Sequence, residues 1–196
     1  MSQHPKIAQF LARNKEFAKT YIPDVTTKGI IHKGEPFTVI VCCTDVRVHP
    51  QKFFGLKDGE AMIVPNAGGR VTDDVLRTLY TLDVMSDGGL GTVIVAQHTG
   101  CGMGKATEES LRAGMKARVP GKAKEIEAMW FGVFTKSYQD NIRDEMAKLK
   151  SDPYLGKGEG GLAVLGYLFD LEKGTAKEVE MGGGVGVGVG DGKEGD

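Results

Sequence analysis

FTVIVCCTDVR, residues 37–47, decides how this chain is to be read. Its first seven residues form an apolar run of strand length, rich in β-branched side chains. The run does not alternate with polar residues, so it suits a strand covered on both faces. Polar and charged residues follow at once: Thr44, Asp45 and Arg47. On an extended segment side chains alternate, so Cys43, Asp45 and Arg47 project to one side while Cys42, Thr44 and Val46 project to the other. Cys42 is then expected as a small buried hydrophobe against a covering helix.

Working outward, AMIVP at 61–65 and TVIVAQH at 92–98 have the same character. Between them, residues 72–85 space Val75, Leu76, Leu79, Leu82 and Val84 as a helix, with Thr72 as N-cap and Asp73 and Asp74 in the first turn, where the helix dipole favours acids. Strand, loop, helix, strand is a βαβ unit. LAVLGYLFDLEKG at 162–174 reads as a fourth strand and a turn, and TAKEVE at 175–180 as a short antiparallel edge strand. Residues 104–150 are mostly helical in pattern, broken near Pro120 and Gly121. Trp130, Phe131 and Phe134 have helical spacing there and read as core or subunit interface. The expectation is an α/β fold with a mostly parallel central sheet and helices on both faces.

Residues 3–20 space Ile7, Phe10, Leu11, Phe17 and Ala18 as an amphipathic helix, and GGGVGVGVGDGKEGD at 182–196 reads as a flexible tail. Three regions follow: a helical arm over 1–35, an α/β domain over 36–181 and the tail over 182–196.

Composition narrows the function. The 196 residues carry Lys+Arg 25 against Asp+Glu 26, a net charge of -1, so there is no basic excess for nucleic acid. No apolar run approaches the roughly 20 residues of a spanning helix, and the first residues have charges where a signal peptide has its apolar stretch. A cytoplasmic protein is expected, with a mitochondrial presequence as the minor alternative, weakened by Glu16 and the scarcity of serine. Three cysteines, two of them adjacent, make a disulfide framework a poor reading and a ligand or catalytic role a better one.

In open α/β sheets ligands sit outside the carboxyl ends of the strands. The chemically loaded clusters fall at those ends: Cys43 to Arg47, Asn66 to Arg70, and His98 to Gly102. His98 and Cys101 form an H-x-x-C pair able to converge on one ion. With Cys43 they make a set of two sulfurs and one imidazole that suits Zn²⁺, and three protein ligands leave a fourth position open, as in catalytic zinc sites. Gly100, Gly102 and Gly104 before Lys105 are not a phosphate loop, because Thr99 and Ala106 occupy positions that need Gly and Ser or Thr. The Gly102 amide is instead expected to support a cysteine sulfur.

CTDVR at 43–47, NAGGRVTDD at 66–74 and HTGCGM at 98–103 together resemble the three signature stretches of the β-class carbonic anhydrases, in order and at about that family's spacing. The similarity continues from FFGLKDGEA at 53–61 to LFDLEKGTAKEV at 168–179 and so covers most of 37–180. The resemblance implies zinc held by Cys43, His98 and Cys101, reversible hydration of CO₂ to bicarbonate, and an Asp45–Arg47 dyad. In that dyad Asp45 orients the reacting water and Arg47 holds the carboxylate. In part of the family the matching aspartate takes the fourth zinc position at lower pH, which makes Asp45 a candidate metal ligand and gate. Gly68, Gly69 and Gly102 become candidate substrate-pocket residues, since a pocket for a small apolar molecule needs backbone close to the metal.

The resemblance also implies a homodimer or an assembly of dimers, with 3–20 as the helix packed across a partner. Pro65 departs from the family's usual basic residue, and Val46 from its usual small one. CS₂ or COS hydrolysis on the same zinc set, and a non-catalytic zinc-binding module, are the alternatives.

Overall fold

The computed structural model describes residues 5–22, 36–157 and 160–182. Residues 1–4 and 23–35 of the expected helical arm, and the glycine-rich tail beyond Gly182, lie outside the described residues. The chain divides into two compact units, 1–30 and 31–196. In the first, helix α1 (Pro5–Thr20) occupies the expected amphipathic segment. Lys19 pairs with Glu16 at 2.7 Å, and Phe17 lies 5.3 Å from Tyr21, ring to ring. Its Ile7, Phe10, Leu11 and Phe17 are exposed.

The second unit holds strand β1 (Phe37–Cys43), a single-turn α2 (Pro50–Phe53), β2 (Met62–Asn66), α3 (Asp73–Met85), β3 (Leu90–His98), α4 (Glu108–Arg118), α5 (Ala123–Glu127), α6 (Tyr138–Ser151), β4 (Ala163–Asp170) and β5 (Thr175–Glu178). The strands form one sheet in the order β2-β1-β3-β4-β5. The first three pairings are parallel, and β5 returns antiparallel on β4. This is the mostly parallel α/β architecture expected from the strand runs.

Absence of alternation in those runs has the expected cause. Val39, Val41, Val93 and Val95 pack with Val75 and Leu79 of α3 and Ile142, Met146 and Leu149 of α6. Ile40, Cys42 and Ala96 face the other way, against Val48 and the partly buried Phe53 and Phe54. Phe53 also stacks on Phe169 at 4.2 Å. β1 and β3 therefore bury both of their faces, and burying one such aliphatic side chain is worth about 1.5–3 kcal/mol. Cys42 behaves as the expected packing residue, and burial, with the neighbouring Cys43, pushes its thiol up to about 12.

Thr72 caps α3 by accepting from the Val75 amide at 3.4 Å, with Asp73 and Asp74 in the first turn. One expectation fails. Residues 128–137, which include Trp130, Phe131 and Phe134, are not helical. The Glu108 carboxylate takes the amides of Phe131 and Gly132 at 3.1 and 2.9 Å, and Gly132 sits at φ +74°, outside the helical region. Trp130 ends up exposed and Phe134 buried.

Candidate metal centre

Register places the loaded residues side by side. Cys43 is level with Asn66 across β1 and β2, and β3 runs from Ala96, level with Cys42, to His98. The ends of three adjacent strands thus meet at one rim of the sheet. Gly100, at φ +65°, turns the chain after β3 so that Cys101 returns toward Cys43.

One atom from each of Cys43, His98 and Cys101 lies within 4.8 Å of the others, and all three residues are buried. The two sulfurs are 3.9 Å apart. Thiolates about 2.3 Å from one tetrahedral ion would be separated by about 3.8 Å, so the spacing fits a zinc-sized ion without rearrangement. His98 settles its own tautomer. Its Nδ1 is 2.9 Å from the Thr99 carbonyl oxygen, which can only accept, so Nδ1 carries the proton and Nε2 keeps its lone pair. That Nε2 is buried without a hydrogen-bond partner. A buried imidazole lone pair beside two sulfurs is a donor set that a soft cation would satisfy, since an unsatisfied buried acceptor is costly.

The thiols show the same incompleteness. Cys43 is held well below the ordinary thiol range, first by the hydrogen bond from Cys101 and against the cost of burial, with further support from the backbone amides of Asp45 and Gly68. Cys101 is driven up, because it holds the proton that Cys43 shares and because it too is buried; the Met103 amide acts against this. The pair thus gives up one proton readily and the second reluctantly. A divalent cation between the sulfurs would release both. The amide acting on Cys101 is that of Met103, one residue beyond the Gly102 amide expected from sequence.

Asp45 lies outside this cluster of three. Arg47 Nε donates to its Oδ1 at 2.9 Å and Nη2 to its Oδ2 at 2.6 Å, and the Arg47 backbone amide adds a third bond to Oδ1 at 2.9 Å. These bonds hold the carboxyl well below its usual range, so Asp45 is ionised through neutral and mildly acidic pH. A 320 Å³ cavity beside the dyad is lined by Cys43, Asp45, Val48, His49 and Pro65 among others. A 580 Å³ cavity against Asn66, Arg70, Trp130 and Lys148 includes none of the three clustered residues.

The 66–70 loop joins these parts. The Gly68 amide is one of the backbone groups that hold the Cys43 thiol down. Gly69, at φ +63°, packs so tightly on the end of β1 that a Cβ there would lie 3.0 Å from the Cys42 carbonyl carbon and 3.1 Å from the Cys43 nitrogen. Gly102 has open space where a Cβ would be, so no crowding demands glycine at that position.

Several contributors had no signal in the local pattern. Phe134, Met103 and Tyr138 pack against Cys43 and Cys101, and the Tyr138 hydroxyl accepts the Gly100 amide at 3.1 Å. Gln97, fully buried, reaches the Gly69 carbonyl at 3.5 Å. A glutamine inside the apolar run TVIVAQH was the one available cue for it.

The family model described as carbonic anhydrase matches residues 38–176, which include all of these strand ends. The chain belongs to the β-class carbonic anhydrase family. Among curated relatives, β-carbonic anhydrase 1 of Mycobacterium tuberculosis is 28% identical over 175 residues, 87% of this chain and 95% of that protein. A carbon disulfide hydrolase of Acidianus sp. is 30% identical over 158 residues, 68% of this chain and 72% of that protein. Among solved structures, a carbonic anhydrase from Streptococcus mutans matches with a TM-score of 0.73 and 27% identity, covering 92% of this chain and all of that one. This β-class carbonic anhydrase chain has no helix among its described residues that is long and apolar enough to cross a membrane.

Proposed function

We propose that this β-class carbonic anhydrase is a zinc enzyme interconverting CO₂ and bicarbonate, with Cys43, His98 and Cys101 as the metal ligands. The observation that carries the reading is the buried trio of ligand atoms with an orphaned His98 Nε2, next to a carboxylate that Arg47 keeps off the cluster. Zinc supplies Lewis acidity that brings a bound water's pKa down toward neutrality.

The chain's own groups do the rest. Asp45, unable to take a proton at neutral pH, accepts a hydrogen bond from the reacting water and so aims a lone pair at the CO₂ carbon. Arg47 fixes that carboxylate in two-point contact and stops it from moving onto the metal; when the contact loosens, Asp45 becomes the gate. Gly68, Gly69 and Gly102 leave room for backbone, rather than side chains, to border a small apolar substrate. Phe134 and Met103, packed against the two cysteines, keep bulk water from the sulfurs. The exposed apolar side chains of α1 support a homodimer in which this helix docks on a second copy.

A second reading has a specific basis in the Acidianus relative named carbon disulfide hydrolase: CS₂ or COS cleavage on the same ligands. Stopped-flow CO₂ hydration and CS₂ turnover, both run on zinc-loaded protein across pH, test the two together. CO₂ hydration rising with pH and negligible sulfide release supports the first reading; the reverse pattern establishes the second. Zinc-loaded protein inert to both would make the chain a non-catalytic zinc-binding module.

A further inference from the structure

A second buried polar cluster lies behind the 66–70 loop, and the reaction described above does not use it. Glu145 of α6 is fully buried. Its Oε2 accepts the Val71 amide at 2.7 Å, its Oε1 lies 3.1 Å from Arg70 Nε, and Lys148 Nζ reaches both oxygens at 3.1 and 3.0 Å. The Arg70 Nε contact is ionic rather than a directed hydrogen bond, since that N–H has no acceptor in line. Arg70 Nη1 donates to Asn141 Oδ1 at 2.9 Å, and its guanidinium stands 5.7 Å from the ring centres of both Trp130 and Phe134. A carboxylate with no exposure and two cations around it is expensive to build, and its use should be sought in what it holds.

What it holds is the loop. Asn66 closes 66–70 into a ring: its Nδ2 donates to the Arg70 carbonyl at 2.7 Å, and its Oδ1 accepts the Arg70 amide at 2.8 Å. The near end of this ring is bonded to β1 through the Thr44 amide on the Asn66 carbonyl at 2.8 Å. Its far end, Arg70 and Val71, is fixed by Glu145. Between the two lie Gly69, packed so closely on β1 that a Cβ there would stand 3.1 Å from the Cys43 nitrogen, and Gly68, whose amide helps to hold the Cys43 thiol down.

We infer that Glu145 is a positioning residue for the metal centre: through Arg70 and the Val71 amide it holds the 66–70 loop against the end of β1 at Cys43, where Gly69 packs on the backbone and the neighbouring Gly68 N–H can serve the sulfur. The inference rests on Cys43 being a metal ligand, as proposed above, but not on which substrate the enzyme turns over. A backbone N–H on a metal-bound thiolate withdraws charge from it, and loss of such outer contacts typically weakens metal binding about 10- to 100-fold.

The test uses cobalt- and zinc-loaded full-length protein. Glu145→Gln should move the sulfur-to-cobalt absorption to longer wavelength, because a thiolate without its N–H partner donates more freely, and should speed zinc loss to a chelator about tenfold. Gln leaves the Arg70 cation without a counter-charge and so also destabilises the fold, which makes a second variant necessary. Arg70→Met with Glu145→Leu removes the pair together and recovers most of that stability, but it still lacks the acceptor for Val71.

The inference predicts that the cobalt band stays displaced in this double variant while the melting temperature recovers. A wild-type band in either folded variant, or a band that recovers together with stability, overturns it and leaves Glu145 a purely structural role. If Glu145→Gln does not fold, the double variant decides by the same band. Neither band position nor zinc release involves CO₂, so wild-type protein inactive toward CO₂ would defeat the proposed reaction and leave this inference standing.

Discussion

Two buried polar clusters flank the 66–70 loop, and they differ in what they leave unmatched. Around Glu145 the carboxylate meets an amide, a guanidinium and an ammonium. Around Cys43, three ligand atoms crowd together with one lone pair unmatched and one proton shared between two sulfurs. Burial raises the cost of any unmatched polar group, and each cluster keeps one: Arg70 Nε beside Glu145 and His98 Nε2 beside Cys43. What differs is the chemistry of the leftover: a guanidinium N–H beside a carboxylate already has its counter-charge, whereas two sulfurs and an imidazole nitrogen are a donor set that could hold a cation.

The strongest way to break this contrast is to remove a ligand. Cys43→Ser or His98→Ala should abolish stoichiometric zinc and lower CO₂ hydration by about a thousandfold or more, the loss expected when several kcal/mol of Lewis-acid assistance disappears. Metal analysis and stopped-flow rates on the same samples check it; a variant with zinc lost and rate retained would separate the cluster from the chemistry.

A smaller effect is expected at the dyad. Arg47→Ala should cut kcat/KM about 10- to 100-fold while zinc is kept. The Asp45 carboxyl is depressed by Arg47, so its charged form is favoured above the ordinary Asp pKa of about 3.9 and is lost only as pH falls through the lower, folded value. Removing Arg47 moves that titration up, and the acid limb of the rate profile should move to higher pH with it.

Zinc removal sharpens the comparison from the sulfur side. With its pKa depressed by the Cys101 hydrogen bond, Cys43 is already thiolate at neutral pH in metal-free protein. Its alkylation by a small reagent should therefore change little between about pH 6 and 8, where an ordinary thiol of pKa about 8.5 speeds up nearly tenfold per unit. A thiol-like slope at Cys43, read by peptide mass mapping, would mean that the two sulfurs do not share a proton.

Gly69→Ala should cost about 2 kcal/mol, from a side chain at positive φ pressed on the end of β1. For a chain of this size that is a fall of roughly 4–8 °C in melting temperature. Gly102→Ala, with open space at its Cβ, should be close to neutral for stability.

Another small effect is expected far from both clusters. Tyr80 donates to Asp152 Oδ2 at 2.6 Å. Burial opposes the charge on Asp152, but this bond and the amides of Tyr154 and Leu155 prevail and lower its pKa. Tyr80→Phe should cost about 1 kcal/mol or less at neutral pH, discounted for partial exposure, and the deficit should fade as pH drops through the carboxylate range.

These regions also differ in how far the sequence exposed them. The sheet was readable because β1 and β3 bury both faces, which produces unbroken apolar runs ending abruptly in Cys43 and His98. The convergence of Cys43, His98 and Cys101 was readable because strand ends gather what sequence separates. Glu145 was not, since its partner amide at Val71 is 74 residues away and nothing in the helical pattern of 138–151 marks one acid as buried. Phe134 is buried as expected, but the helix around it was misread for a related reason: the spacing of Trp130 and Phe134 imitates one, while the Glu108 carboxylate that takes the Phe131 and Gly132 amides comes from a separate segment. Local periodicity reports elements well and long-range polar pairing hardly at all.

The central claim is that Cys43, His98 and Cys101 form one metal centre. Zinc-edge X-ray absorption on protein reconstituted with a single equivalent of zinc tests it most directly. The expected spectrum shows two sulfur scatterers and one imidazole on a four-coordinate ion; retained zinc with only nitrogen and oxygen neighbours, or no retained zinc, would contradict it.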